Sequence, residues 1–311
     1  MKEDDIKTGS LKAWFLAARP KTLTGAAVPV IIGLALAWDA WTHHDGIVTA
    51  NGHPLQLSSA IVVSILCLLF AFVMQIDANF VNDYFDFMKG NDDKTRLGPK
   101  RACAMGWIHS SQMRRAIVLT TLIGCLTGLP LVWFGGMEMI LVGFLCVVFC
   151  FLYTTHLSYW GLGDVLVLVF FGIVPVCIPY YIIMRTVHWE VVVASVCCGL
   201  VIDTLLMINN YRDIENDIRA GKRTLAVRLG KDRSRLAYLL LGVLACLLGV
   251  VYVLNAHPWA FVLPFFYLVL HVRTYRRMVE IDHGYELNMI LGETARNMFV
   301  YGLLTGTGIL L

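Results

Sequence analysis

Apolar residues come in long runs along this chain, and polar residues collect between the runs. Nine runs read as membrane-spanning helices, near residues 22–38, 58–80, 116–134, 138–154, 163–184, 189–210, 236–254, 259–272 and 290–311. A helix needs ~20 mostly apolar residues to cross a hydrocarbon core. The eighth run is the shortest and contains Pro264, which predicts a tilted, kinked or partly re-entrant segment. No Gly-, Ser- or Pro-rich linker and no low-complexity tract interrupts the series, so the pattern predicts one unit over residues 1–311. The expected fold is all-α: a polytopic membrane protein, a bundle of nine transmembrane helices with cytoplasmic cap segments.

Two runs end in polar residues at helical spacing. Gln75, Asn79, Asn82 and Asp86 step by four, three and four, so they share one helix face, with Asp83 on its flank and Asp77 elsewhere. Asn210, Asp213 and Asp217 step by three and four and form a second stripe. The surrounding segments, Asn82-Asp83-Tyr84-Phe85-Asp86 and Asn209-Asn210-Tyr211-Arg212-Asp213, both read N-[DN]-Y-x-D and start 127 residues apart. Behind each stands a further carboxylate, Asp92 or Asp217, and then an Arg-Leu-Gly triplet, at Arg96 and at Arg228. The repetition hints at a duplicated half. The polar stretches that follow, about 87–113 and 214–235, are long for simple connections. Gly90, Gly98 and Pro99 break the first and Gly221 and Gly230 the second, as expected of short helices on turns that cover a pocket.

Composition sharpens this reading. The chain is 58% hydrophobic and 15% charged, against about 25% charged in soluble domains. Its Lys and Arg are placed unevenly. Five precede the first run, seven follow the second, eight follow the sixth and three follow the eighth, which leaves only Arg185 and Arg296 of the 25. The positive-inside rule puts those four segments in the cytoplasm. The expected setting is a bacterial-type inner membrane, with the N-terminus and the carboxylates cytoplasmic and the C-terminus outside. The net charge of +3 is small and the basic residues flank the carboxylates, which suits an anionic substrate or acidic headgroups, not nucleic acid. The nine cysteines contain no CxxC pair and read as small apolar residues in a reduced setting.

Carboxylates close to a bilayer core are costly, and those retained there are usually functional. Magnesium takes oxygen ligands, one or two carboxylates plus substrate phosphates. Two carboxylate clusters on one face therefore suit a diphosphate bridged by two or three ions, with Lys and Arg neutralising the rest. An allylic diphosphate that departs leaves a carbocation, which apolar and aromatic walls shelter from water.

The segments NDYFDFMKGNDDKTRLGPKRA and NNYRDIENDIRAGKRTLAVRLG resemble the two signature segments of the UbiA-type membrane prenyltransferases. Further matches run along most of the chain: Ala18-Arg19-Pro20-Lys21-Thr22, Tyr153-Thr154 and Gly161-Leu162-Gly163-Asp164. The chain is most similar to the branch whose acceptor is 1,4-dihydroxy-2-naphthoate. The superfamily pattern wants an acid at position 90, where this chain has Gly90 and then Asp92, an offset that the naphthoate branch shares. The resemblance implies that Asn82, Asp83 and Asp86 hold one Mg2+ and Asp213 and Asp217 another, two or more ions in all. Lys222 and Arg223 would contact the diphosphate, with Lys89, Arg96 and Arg101 as further candidates. Gln75, Asn79, Tyr153 and Asn210 would line the substrate space. The implied reaction replaces the acceptor's carboxylate with a polyprenyl chain from a polyprenyl diphosphate, releases CO2 and diphosphate, and gives demethylmenaquinol.

Other readings stay open on the residues alone. Relatives within the superfamily prenylate 4-hydroxybenzoate, homogentisate or haem, or a glycerol lipid. A cation-coupled carrier would also bury acids, but carriers tend to place them at the midplane in inverted repeats. A CDP-alcohol phosphotransferase would join its aspartates to an Asp-Gly and an Ala-Arg in one stretch, and that pattern is absent.

Overall fold

The computed structural model describes residues 6–44, 46–90 and 97–311. The chain is all-α in its regular structure. A short helix α1 (Leu11–Ala18) leads into α2 (Leu23–Thr42), α3 (Leu57–Met88), α4 (Ser110–Gly135), α5 (Glu138–Leu157), α6 (Gly163–Met184) and α7 (Trp189–Arg212). There follow a brief α8 (Ile214–Arg219), then α9 (Leu225–Leu254), α10 (Phe265–Ile281) and α11 (Leu287–Leu310).

Among the described residues, seven helices are long and apolar enough to cross a membrane: α1 with α2 as one unit, α3, α4, α5, α6, α7 and α9. The fold is thus a polytopic membrane bundle. The two remaining long elements fall short of that description for different reasons. The eighth run is split, as Pro264 predicts, into a turn of helix at Pro258–Val262 and the 17-residue α10. The last, α11, spans 24 residues but carries Glu293, Arg296 and several glycines and threonines, which dilute its apolar character.

Helix α7 is the most enclosed, packed by α6, α9 and α11, while α5 shows most of its surface outward. Leu119, Leu122 and Leu126 of α4 and Phe144 of α5 are exposed, as side chains facing lipid tails should be. Close packing relies on two facing glycines. A Cβ on Gly172 of α6 would stand 2.8 Å from the Gly199 Cα of α7. Gly172 sits in a π-helical stretch (Leu168–Ile173), and a second such turn (Tyr153–Leu157) ends α5 beside the site described below.

The two long polar connections meet over one end of the bundle. The second contains α8, a turn at Gly221 (φ 70°) and the start of α9, which breaks at Gly230 (φ 73°, ψ 175°). Both backbones lie where a side chain would be strained. In the first, residues 97–109 form successive turns. Ala102, Cys103, Trp107 and Ile108 pack with Ala13 and Ala17 of α1 and Phe80 and Val81 of α3. The Gly9 amide donates to the Trp107 carbonyl at 2.8 Å, so the N-terminal segment braces this cover.

Candidate active site

Under the covers lies one large cavity of about 1490 Å³, walled by α1 to α7 and α11. Its polar end holds both acidic stripes. Gln75, Asn82 and Asp86 of α3 reach it, as do Asn210, Asp213 and Asp217 around the α7–α8 junction. Tyr153, Arg101 and Lys222 complete the polar lining among the expected residues. Below, the walls are apolar and rich in rings. Phe149 and Phe170 pack at 4.8 Å between centroids, and Phe171 and Phe299 line the same space.

Asp86 is buried at the centre of the polar end. Arg101 stands 4.0 Å from its Oδ2 and Lys222 3.5 Å from its Oδ1. Oδ1 is buried and makes no hydrogen bond. Lys222 meets its charge, and its lone pairs stay open to an ion. Asn82 accepts from the Thr154 hydroxyl at 2.6 Å, which aims its carbonyl oxygen alongside. Arg212 grips Asp213 with Nε to Oδ1 at 2.9 Å and Nη2 to Oδ2 at 2.6 Å. Each of those oxygens keeps a lone pair. Asp217 accepts from the Thr224 hydroxyl at 3.4 Å.

These are all hard oxygen donors, the set that magnesium takes. Among the described residues no three His, Cys, Asp or Glu side chains converge as the ligands of one ion. That fits ions held by one or two protein oxygens each and completed by a diphosphate spanning both clusters. The site residues therefore fit magnesium, with phosphate oxygens of a substrate to fill out its shell.

Four of the expected residues lie apart from the cavity lining. Asp83 is turned into the protein, where Oδ2 accepts from the Ala102 amide at 2.7 Å and Oδ1 from the Cys103 amide at 2.9 Å. It fastens the first cover to α3. Asn79 donates to the Ala18 carbonyl and the Thr22 hydroxyl, both at 2.9 Å, and ties α3 to the α1–α2 corner. Arg223 is exposed, its amide donating to the Tyr159 carbonyl. Lys89 donates to the Thr155 carbonyl at 2.6 Å and lies 4.1 Å over the Tyr159 ring, which Lys222 also approaches at 5.2 Å. Desolvation holds the Lys89 ammonium below the ordinary lysine range; Asp86 opposes this and Lys222 adds to it. Arg96 and Asp92 lie outside the described residues. Asp77 is a clamp on α4, accepting from Thr120 and, at 2.8 Å, from Thr121.

Other residues were not singled out from the sequence. Arg212, at the variable position of the second motif, also donates to Asn288 Oδ1 at 2.9 Å; Asn288 in turn donates to the Leu97 carbonyl at 2.8 Å. This chain of bonds links the second acidic cluster, α11 and the first cover. Asn288 had no local signal, since its partners are 76 and 191 residues away. Asp203, a buried acid inside the sixth run, keeps one oxygen without a hydrogen bond, and so does Asp164, which the Gly161-Leu162-Gly163-Asp164 match already included. The cost of acids in apolar runs was the signal for both.

Comparison with known proteins follows this geometry. The UbiA prenyltransferase family profile matches residues 26–285. The 1,4-dihydroxy-2-naphthoate octaprenyltransferase of Escherichia coli (strain K12) is 35% identical, over 96% of this chain and 96% of that protein. The protein of the same description from Haemophilus influenzae (strain ATCC 51907 / DSM 11121 / KW20 / Rd) is 34% identical over 83% of each. The solved structure of a UbiA homolog from Archaeoglobus fulgidus bound to GPP and Mg2+ superposes with a TM-score of 0.62 at 13% identity, covering 96% of this chain and 100% of that one.

Proposed function

Because this chain belongs to the UbiA prenyltransferase family, we propose that it is a magnesium-dependent aromatic prenyltransferase acting on 1,4-dihydroxy-2-naphthoate. The observation that carries the reading is the large cavity that joins both carboxylate clusters and several cations, Arg101 and Lys222 among them, to an apolar, ring-lined interior. The names of the relatives at 35% and 34% identity support the acceptor and a polyprenyl donor.

The residues divide the work by position. Asn82 and Asp86 on one side and Asp213 and Asp217 on the other would hold at least two Mg2+ ions with the diphosphate between them. Magnesium held by these residues would supply positive charge against the charge that builds on the leaving diphosphate. Lys222 and Arg101 flank Asp86 and meet the remaining phosphate charge. The allylic carbon–oxygen bond breaks and its electron pair leaves with the diphosphate. Phe149, Phe170 and their neighbours exclude water and present ring faces to the cation. The ring carbon bearing the carboxylate attacks the cation. Its bond to the carboxylate then breaks, CO2 departs, and that electron pair restores the aromatic ring. Asp83 acts by holding the first cover, which is a different task from the ligation expected of it. Lys89 and Arg223 lie at the outer edge of the site, where they would draw in an anion.

The finer topology belongs to the same reading. α10 with its preceding turn, and α11, complete nine crossings. The carboxylates and covers then face the cytoplasm with the N-terminus, the C-terminus lies outside, and the host membrane is a bacterial inner membrane. Residues 1–311 act as one unit, with about 87–113 and 214–235 as its covers.

Diphosphate release in nanodiscs tests the proposal, with a polyprenyl diphosphate, magnesium and one acceptor at a time, and the lipid product identified by mass spectrometry. A decarboxylated prenyl-naphthoquinol, lost in Asp86→Ala and in Asp213→Ala, is the expected result. Product with 4-hydroxybenzoate alone would overturn the acceptor; no release with any acceptor would favour a carrier.

A further inference from the structure

Helix α11 carries a cation that the diphosphate site does not use. Arg296 is exposed into the cavity wall. Its guanidinium makes one long hydrogen bond, Nη2 to Asn297 Oδ1 at 3.4 Å, and no ion pair among the described residues. The nearest acid on its own helix, Glu293, is taken by Arg277 of α10. Facing the cavity with no anion beside it, the guanidinium is placed to pair with a negative group of a ligand.

The depth of Arg296 decides which partner. Asn288, bonded to Arg212, puts the first turn of α11 level with Asp213. Eight residues further along is about 12 Å deeper at the helical rise. The contact of α11 with α2 agrees, since Met298 Cε lies 3.7 Å from a Cβ placed on Gly25. On α3, Asn79 bonds Thr22 and is seven residues below Asp86, about 10 Å. Arg296 therefore starts level with Thr22 and Asn79, well inside the carboxylates. Helical side chains lean toward the N-terminus, which for α11 is the carboxylate end. The gap left above it is on the order of one aromatic ring system. Lys21 and Arg19, next to Thr22, also line the cavity.

The donor's charge is held at the carboxylates and its tail is apolar. The acceptor is the one substrate with a negative group at the depth of its ring. Resting on the function proposed above, we infer that Arg296 binds the carboxylate of the aromatic acid acceptor and so selects acids over neutral phenols. A guanidinium meets a carboxylate through paired N–H bonds. Once CO2 has left, the product carries no such group, so Arg296 holds substrate and releases product.

Binding of 1-hydroxy-2-naphthoate and of 1-naphthol to the full chain in nanodiscs tests this, with pyrophosphate and magnesium as a third probe. Arg296→Gln is expected to weaken the acid by about 10- to 100-fold, the loss of a charge-assisted pair. It should leave 1-naphthol and pyrophosphate unchanged. In turnover the acceptor KM rises by the same factor with the donor KM unmoved, and Arg296→Lys recovers part of the loss. Equal weakening of acid and naphthol, or weakened pyrophosphate, would make Arg296 a structural or donor residue and overturn the assignment. Undiminished acid binding, or none in the wild type, would overturn it too. The function itself is tested separately. Should the enzyme use 4-hydroxybenzoate instead, the same comparison of 4-hydroxybenzoate with phenol keeps or sinks the role of Arg296.

Discussion

Asp83 and Asp86 are one helical turn apart, yet their surroundings give them opposite tasks. Asp86 faces the cavity with an unbonded oxygen; both oxygens of Asp83 are capped by the amides of Ala102 and Cys103. Two predictions separate them. Asp86→Asn keeps the shape but removes the one carboxylate charge that the first cluster offers an ion, and should lower turnover by roughly 10²-fold or more. Asp83→Ala removes two buried hydrogen bonds, which costs about 1–3 kcal/mol, and should free the first cover. Trypsin would then cut at Lys100 and Arg101 faster than in the wild type; unchanged cleavage would contradict the fastening role. The sequence marked both acids but could not rank them, because a period of 3.6 says which face a residue takes and not which backbone amides approach that face. Arg212 was unreadable for a related reason, its partner Asn288 being brought near only by the packing of α11.

The elements were legible in existence and less so in their ends. Long apolar runs fixed α2 to α7 and α9, and Pro264 marked the split before α10. The polar ends of helices were not: α3 continues through the whole first motif to Met88, and α9 begins at Leu225, inside the second cover. Backbone hydrogen bonding carries a helix past the hydrophobic boundary, so hydropathy underestimates its length. Packing sets the prediction at this scale. Gly172→Leu would drive a side chain into the Gly199 backbone. Overpacking of this kind typically costs ~1–3 kcal/mol. A lowered unfolding temperature in detergent, not seen for the same change at Gly143, where an added Cβ meets nothing within 4 Å, is the expected result; a neutral outcome would mean that α6 can part from α7 without loss.

For the whole molecule, the site exists only when its two halves and both covers are assembled. α3 brings Asp86 and α7 brings Asp213, and the Arg212–Asn288–Leu97 chain closes one cover over them. A chelator should therefore abolish turnover reversibly. Magnesium and pyrophosphate together should raise the unfolding temperature more than either alone, since each ion needs phosphate oxygens to complete its shell. Stabilisation by magnesium alone as large as by the pair would show a preformed ion site instead.

The chain's own order of residues determined that it is helical and crosses a membrane, that two acidic stripes close apolar runs, and that basic segments follow each stripe. Those properties follow from local energies: apolar runs cannot stay in water, buried acids are costly, and helical spacing gathers Asn82 with Asp86 and Asp213 with Asp217. Only the tertiary structure decided which acids face the cavity, that Asn79 and Asp77 tie helices together, and that Arg296 of α11 reaches the cavity. Each of those outcomes depends on a partner from a distant part of the chain, and distance along the sequence carries no record of it.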